Sequence, residues 1–298
     1  MLVRYRGAMT VRCSSFVDEP LPGTATTERG WLCIENDAGW GRDPFSGETF
    51  PADVGDAIES FAAAHDLRVL LIRRPGRAGG FRARRRVFVA RSVAGETALR
   101  RFEVEDYALI PSLDLGAGEP AEPMALVCTN GKRDVCCAVQ GRPLAASLAG
   151  CYADPVVWEC SHTGGHRFAP VLIVLPTGYT YGRVTAGEAK EVFDGARAGV
   201  VSTTGLRGRS PLPPVGQVAE VAVREALGAA VGPDVLRVTV EPGAEAKNAD
   251  EGEAVVRHED GRAWRVRARA EELPPRVASC GKKPSPARGW RVASISPA

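Results

Sequence analysis

The chain has 298 residues, 44% hydrophobic and 25% charged, with a formal net charge of +2, the make-up of an ordinary globular protein rather than a disordered one. At roughly 100–200 residues per domain, this length predicts two or three units. The near-neutral balance gives no general reason to expect a nucleic acid or a membrane as partner. The longest apolar runs, such as 170–176, fall far short of the roughly 20 residues that cross a bilayer, and no signal-peptide core opens the chain, so a cytoplasmic location is expected. Eight cysteines in a chain this long do not make the dense framework of a small secreted protein; reduced thiols are expected.

Residues 1–10 carry little pattern, and Met9 is an alternative start. From Gly30 the order reads strand (31–35), helix (51–65, with Val54, Ile58, Phe61 and Ala62 on one face) and strand (67–72). A hairpin of strands 84–92 and 98–103 follows. The Gly-, Pro- and Glu-rich stretch 115–123 is the expected boundary, which closes an N-terminal α/β domain at 10–118. Next come a strand (124–127), a short helix (143–148) with Pro143 in its first turn, a strand (156–159), a hairpin (171–175 and 179–184) and a helix (186–197). That is the element order of a thioredoxin-like domain, assigned to 119–200. The remainder, 201–298, reads as a small α/β extension: a loop at 205–211, a helix (214–227) and strands at 236–240, 254–258 and 263–268. The acidic, Gly-rich segment 241–252 is expected to be a mobile surface loop. The two α/β units share an order of elements without convincing sequence similarity.

Two segments carry the chemistry: Cys128-Thr-Asn-Gly-Lys-Arg-Asp-Val-Cys136-Cys137 and Cys160-Ser-His162-Thr-Gly-Gly-His166. Each follows an apolar run, so each is expected where a buried strand ends and a loop begins, the usual place for functional loops in α/β sheets. Cys and His donors suit zinc and iron–sulfur clusters alike. Zinc sites bring cysteines two to four residues apart, whereas Cys128 and Cys137 are separated by a whole loop. Gly164 and Gly165 disfavour a helix between His162 and His166 and let backbone approach a bulky inorganic core. No glutamate lies between these histidines, which argues against a zinc-protease helix.

On these residues the chain resembles the sucrase/ferredoxin-like family. The resemblance rests on the Cys128 to Cys137 segment, on Trp158-Glu-Cys-Ser-His-Thr-Gly-Gly-His-Arg-Phe-Ala-Pro170, on the Tyr-Gly-Arg that follows, and on Leu206-Arg-Gly-Arg-Ser. It runs from about Cys13 to Trp290 and is strongest over 126–184. It implies a thioredoxin-like ferredoxin domain holding a [2Fe-2S] cluster, with Cys128 and Cys137 on one iron and His162 and His166 on the other, as in the fungal branch. Many bacterial relatives have Asp where this chain has His166, which makes Cys136 and Cys160 the alternate ligands. The implied role is electron transfer with a redox partner protein, and not clearly an enzymatic one.

Two other readings of the same residues stay open: a thiol oxidoreductase or redox sensor using Cys136 or Cys137, and a structural zinc protein. Cys13, Cys33, Cys151 and Cys280 are assigned no role. Trp158 is read as core. The run Arg82, Arg84, Arg85 and Arg86 is read as a solvated strand face before a docking site for an acidic partner. Arg207 and Arg209 are read as structural before any role over the cluster. Arg133 and Asp134 are weighed as an ion pair that orients the cysteine loop, against a solvated turn.

Overall fold

The computed structural model describes residues 11–45, 49–77, 83–243 and 250–298; Met9, Arg82 and the middle of the expected mobile segment lie outside them. Its centre is a ten-stranded mixed sheet. One half comprises β1 (Gly30–Glu35), α1 (Ala52–Ala64), β2 (Leu67–Arg73), β3 (Arg85–Arg91) and β4 (Ala98–Val104), with the short β5 (Glu119–Pro120) at its edge. The other comprises β6 (Met124–Cys128), α2 (Val135–Ala149), β7 (Val157–Cys160), β8 (Val171–Leu175), β9 (Tyr179–Gly182) and α3 (Ala186–Arg197). The strand order is β10-β9-β8-β6-β7-β2-β1-β3-β4-β5, where β10 is Leu206–Arg209.

The same topology therefore occurs twice. Strand β1 lies parallel to β2 and antiparallel to β3, as β6 lies parallel to β7 and antiparallel to β8. The second half, completed by α3, has the strand-helix-strand, hairpin-helix order of a thioredoxin-like fold. The halves join where β2 and β7 pair antiparallel through their C-terminal ends, Ile72 opposite Cys160 and Arg73 opposite Glu159. One sheet thus runs across the stretch expected to divide them.

The junction is charged and buried. Arg73 and Glu159 pair at 2.8 Å with both side chains about 95% enclosed, Thr129 Oγ1 donates to Glu159 at 3.0 Å, and the Arg73 guanidinium lies over the Trp40 ring. Removing one member would leave the other charged and unpartnered, at a cost of about 3–5 kcal/mol. Trp158 is fully buried and meets Phe88 edge-on, as expected of a core residue. Arg84 pairs with Glu105 in solvent.

Three expectations are corrected. The helix placed at 143–148 is α2, Val135–Ala149, and Pro143 lies inside it. Its start is set by Asp134, whose side chain accepts from the Cys136 N–H in the manner of an N-cap; the proline drew the boundary too late. Residues 206–209, read as loop, form β10, which adds to β9 with a register shift at Gly208. In the extension, α4 (Pro214–Leu227) packs on a four-stranded sheet of β11 (Leu236–Val240), β12 (Glu251–His258), β13 (Ala263–Arg276) and β14 (Ser285–Pro297). Strand β14 was missed because most of its residues are exposed, Val292 and Ile295 among them, so it carries no regular buried-and-exposed alternation. Among the described residues, no helix is long and apolar enough to cross a membrane.

Candidate metal centre

Cys128 is the last residue of β6 and lies opposite Cys160, the last of β7, so both motifs begin at a strand end as expected. From there the chain turns through 129–133 into α2, and Cys136 and Cys137 occupy its first turn. Successive helical residues point about 100° apart, so these adjacent cysteines face different surroundings. Cys137 faces Cys128. Cys136 faces Cys13, Ser14 and Cys280.

The Sγ atoms of Cys128 and Cys137 and a ring nitrogen of His162 all lie within 4.8 Å of one another, with His162 Nδ1 3.9 Å from each sulfur. His166 is not within that group. Its ring centre is 5.3 Å from that of His162, and its Nε2 lies 2.8 Å from the carbonyl oxygen of Ala278. A carbonyl only accepts, so Nε2 carries the proton and Nδ1 presents a lone pair. That Nδ1 is buried and has no partner. Burial lowers the proton affinity of His166, against the opposing pull of Asp134, which favours the neutral imidazole a metal requires.

The His162 to His166 loop is shaped by Gly164 and Gly165, at φ +89° and +73°. A Cβ on Gly165 would come within 2.3 Å of Arg207. The loop is held from three sides: Arg68 donates to the His162 carbonyl at 3.1 Å, Thr26 donates to the Thr163 carbonyl at 2.6 Å, and Arg207 packs beneath Gly165. Arg207 is buried, donates to Thr24 Oγ1, and lies over the Phe168 ring. It is a brace within the protein rather than a cover over the site. Arg209 is likewise structural, bound to the Thr177 and Pro233 carbonyls and to Asp234.

The two central thiols are pushed in opposite directions. Cys128 is held well below the ordinary thiol range by its hydrogen bond with Cys137, aided by His162 and the Thr163 N–H. Cys137 is correspondingly raised, first by Cys128 and then by burial. The pair thus favours negative charge at Cys128 over Cys137. Soft thiolates with neutral imidazoles in a buried, Gly-rich cradle make a donor set for zinc or for an iron–sulfur cluster.

Of the alternates, Cys160 is fully buried, its thiol raised by burial and by Cys128, and it does not join the group. Cys136 is turned into a second set, with Cys13, Asp134 and Cys280. Asp134 makes no ion pair with Arg133 among the described contacts; its carboxylate takes the Cys136 and Cys280 N–H groups and the Ser279 hydroxyl. Sequence reasoning assigned Cys13 and Cys280 no role, and separations of more than 120 residues gave no signal by which to link them to Cys136.

Comparison with known proteins gives a family match. The family described as Suc_Fer-like, sucrase/ferredoxin-like, matches residues 21–208, well over half of the chain. That span contains β1 to β9, all of β10 but its last residue, and both motifs. No curated protein and no solved structure gives a significant match.

Proposed function

The chain belongs to the sucrase/ferredoxin-like family, and from that premise we propose that it is an electron-transfer protein holding a [2Fe-2S] cluster on Cys128, Cys137, His162 and His166. The observation that carries the reading is the pair of histidines: His162 sits within reach of two facing thiols, and His166, its ring centre 5.3 Å from that of His162, has a buried Nδ1 without a hydrogen-bond partner. Such a nitrogen is costly to bury without a partner, and a metal would be that partner. Bound there, a [2Fe-2S] cluster supplies a one-electron redox couple.

The residues define how that couple behaves. Two neutral imidazoles in place of two thiolates remove two negative charges from the ligand set, which favours taking up an electron. Centres with two histidines on one iron lie at roughly −150 to +300 mV, against about −400 mV for all-cysteine plant-type ferredoxins. Arg68 and Arg207 fix the histidine loop from opposite halves of the sheet. A shallow groove lined by Phe45, Glu59, Arg68 and Ser161 reaches His162 from the surface, and it is the face on which a redox partner protein would dock.

The test is anaerobic purification followed by iron and acid-labile sulfide analysis and electron paramagnetic resonance of the reduced protein. Two irons and two sulfides per chain with a rhombic S = 1/2 signal support the reading. A colourless protein with zinc on Cys128 and Cys137 would replace it with a structural zinc site.

A further inference from the structure

The second set of donors is built from three distant parts of the chain. Cys13 comes from the N-terminal segment, Asp134 and Cys136 from the start of α2, and Cys280 from the connection between β13 and β14. Their ligand atoms all lie within 4.8 Å of one another. The sulfurs are 3.2 Å apart for Cys136 and Cys280, 3.6 Å for Cys13 and Cys136, and 3.6 Å for Cys13 and Cys280; Asp134 Oδ1 is 3.5 Å from the Cys13 sulfur. Cys13 and Cys136 are almost wholly buried, while Cys280 is partly open.

We infer that Cys13, Cys136, Cys280 and Asp134 form a closed, mononuclear zinc site separate from the first centre. The size of the set decides the nuclearity. With Zn–S near 2.3 Å and Zn–O near 2.0–2.2 Å, a regular tetrahedron has edges of about 3.8 Å between sulfurs and about 3.5 Å between sulfur and oxygen. The two 3.6 Å sulfur pairs and the 3.5 Å sulfur–oxygen pair are close to these edges, while Cys136 and Cys280, at 3.2 Å, would move apart by about half an ångström to take the ion. A multinuclear cluster would hold its sulfurs considerably farther apart. Three thiolates and a carboxylate with tetrahedral geometry suit zinc better than a hard, octahedral ion.

The surroundings are built to accept negative charge at these atoms. Gln140 donates to the Ser14 hydroxyl at 2.6 Å, which leaves that hydroxyl to donate to the Cys136 sulfur at 3.3 Å. The Cys13 N–H points to the Cys280 sulfur at 3.5 Å. The N-terminus of α2 adds the positive end of a 15-residue helix. Without a metal, three sulfurs and a carboxylate crowd one pocket, and burial beside Asp134 keeps the Cys13 and Cys280 thiols protonated; a metal ion would displace those protons. With one, the same contacts become the outer hydrogen bonds that orient ligands.

The site has a structural consequence. It ties the N-terminal segment and the 277–280 segment to the helix that carries Cys137, and it places the Ala278 carbonyl against His166. Zinc here would thereby hold the tautomer that His166 presents to the first centre. The zinc site stands independently of the reading of that centre; only this last consequence rests on it.

The experiment measures zinc and iron separately in the full-length protein, purified under reducing conditions, supplied with one equivalent of zinc and then dialysed against a chelator. Wild type should retain one zinc per chain, and zinc X-ray absorption should show three sulfurs and one oxygen. Cys280→Ser, at the partly open position, and Cys13→Ser should each lose zinc by roughly tenfold or more while keeping the iron content of wild type. Cys128→Ser should do the reverse, losing iron and keeping zinc. The X-ray absorption measurement needs no variant and stands even if one fails to fold. The inference is overturned if wild type releases its zinc to the chelator, if zinc is held by nitrogen-rich coordination, if zinc is lost with Cys128→Ser instead of Cys280→Ser, or if peptide mapping finds a Cys136–Cys280 disulfide in the native protein.

Discussion

His166 donates its Nε2 proton to the Ala278 carbonyl at 2.8 Å, and this single contact decides which nitrogen keeps a lone pair. The carbonyl fixes the tautomer, and the remaining Nδ1 is buried without a partner. If Nδ1 is a ligand, His166→Cys exchanges a neutral donor for an anionic one and should lower the reduction potential wherever a cluster still assembles. His162→Cys should act in the same direction. Pulsed electron paramagnetic resonance on the reduced protein should find two strongly coupled nitrogens in wild type and one in each variant. An unchanged potential in both variants would show that neither histidine is a ligand.

The first turn of α2 separates the two adjacent cysteines by direction. Cys137 meets Cys128 and His162, whereas Cys136 meets Cys13 and Cys280. Cys128→Ser and Cys137→Ser should therefore abolish cluster assembly, a larger effect than the roughly 10–100-fold that loss of an outer-shell partner costs. Cys136→Ser should keep its visible spectrum. Iron analysis of the three variants checks this, and bleaching by Cys136→Ser alone would reverse the assignment of Cys136 and Cys137.

Strand ends and the spacing of Cys128, Cys137, His162 and His166 were legible because each is local: an apolar run, then a polar or glycine-rich turn. The element order also gave the repeated α/β arrangement. What the sequence withheld is long-range. Nothing in 115–123 says that β2 and β7 pair end to end and carry one sheet through both halves. Asp134 was weighed as an ion-pair partner of Arg133 or a turn residue, yet it caps a helix that continues through Pro143, because α2 packed on the sheet outweighs one lost backbone bond. Cys13 and Cys280 looked isolated until the fold set them beside Cys136.

Arg207 offers a test of charge near the centre. Burial, together with Arg167 and Arg183, pushes its guanidinium down to about 9, while Glu19 and the Cys128 thiolate favour the charged form. It therefore remains a cation at neutral pH and stabilises negative charge nearby. Arg207→Met keeps much of the volume over Phe168 and removes the charge. The reduction potential should fall by some tens of millivolts, about 59 mV being a tenfold change in a one-electron equilibrium. Voltammetry checks it, and a potential that rises or holds steady with an intact spectrum would remove Arg207 from the electrostatics of the site.

Alkaline pH should weaken the fold through its buried tyrosines. Tyr179 and Tyr181 are raised chiefly by burial, and Tyr152 by burial and by Asp194. Each folded-state pKa lies above the unfolded value of about 10, so the associated stability is fully present below pH 10 or so and is lost as pH climbs toward the folded values. The melting temperature should be level up to about pH 10 and fall beyond it. In Tyr179→Phe, which loses hydrogen bonds to Glu220 and Arg224, stability at neutral pH should drop by about 1.5–3 kcal/mol and the alkaline fall should be shallower. Thermal melts from pH 8 to 11 decide it; an alkaline slope equal to that of wild type would exclude Tyr179 as a contributor.

Helix α2 approaches β6 so closely that position 141 has no room for a side chain. A Cβ on Gly141 would lie 2.2 Å from the Cys128 carbonyl oxygen and 3.2 Å from its carbon, and these are backbone atoms that cannot swing aside. Gly141 itself is helical, so the constraint is space and not backbone conformation. Alanine would raise the helix propensity by about 1 kcal/mol, but the overlap should outweigh that gain and force α2 away from β6, with a net loss of about 1–3 kcal/mol. Because α2 carries Cys137 and β6 ends at Cys128, the same displacement would open the distance between the two sulfurs. Gly141→Ala should therefore lower both the melting temperature and the iron content. A remote helical change, such as Gly216→Ala on α4, where the nearest atom is the Val240 side chain at 3.0 Å, should leave the iron content unchanged. Loss of iron in both variants would trace the effect to general instability, and full iron in Gly141→Ala would show that the spacing of α2 and β6 does not set the centre.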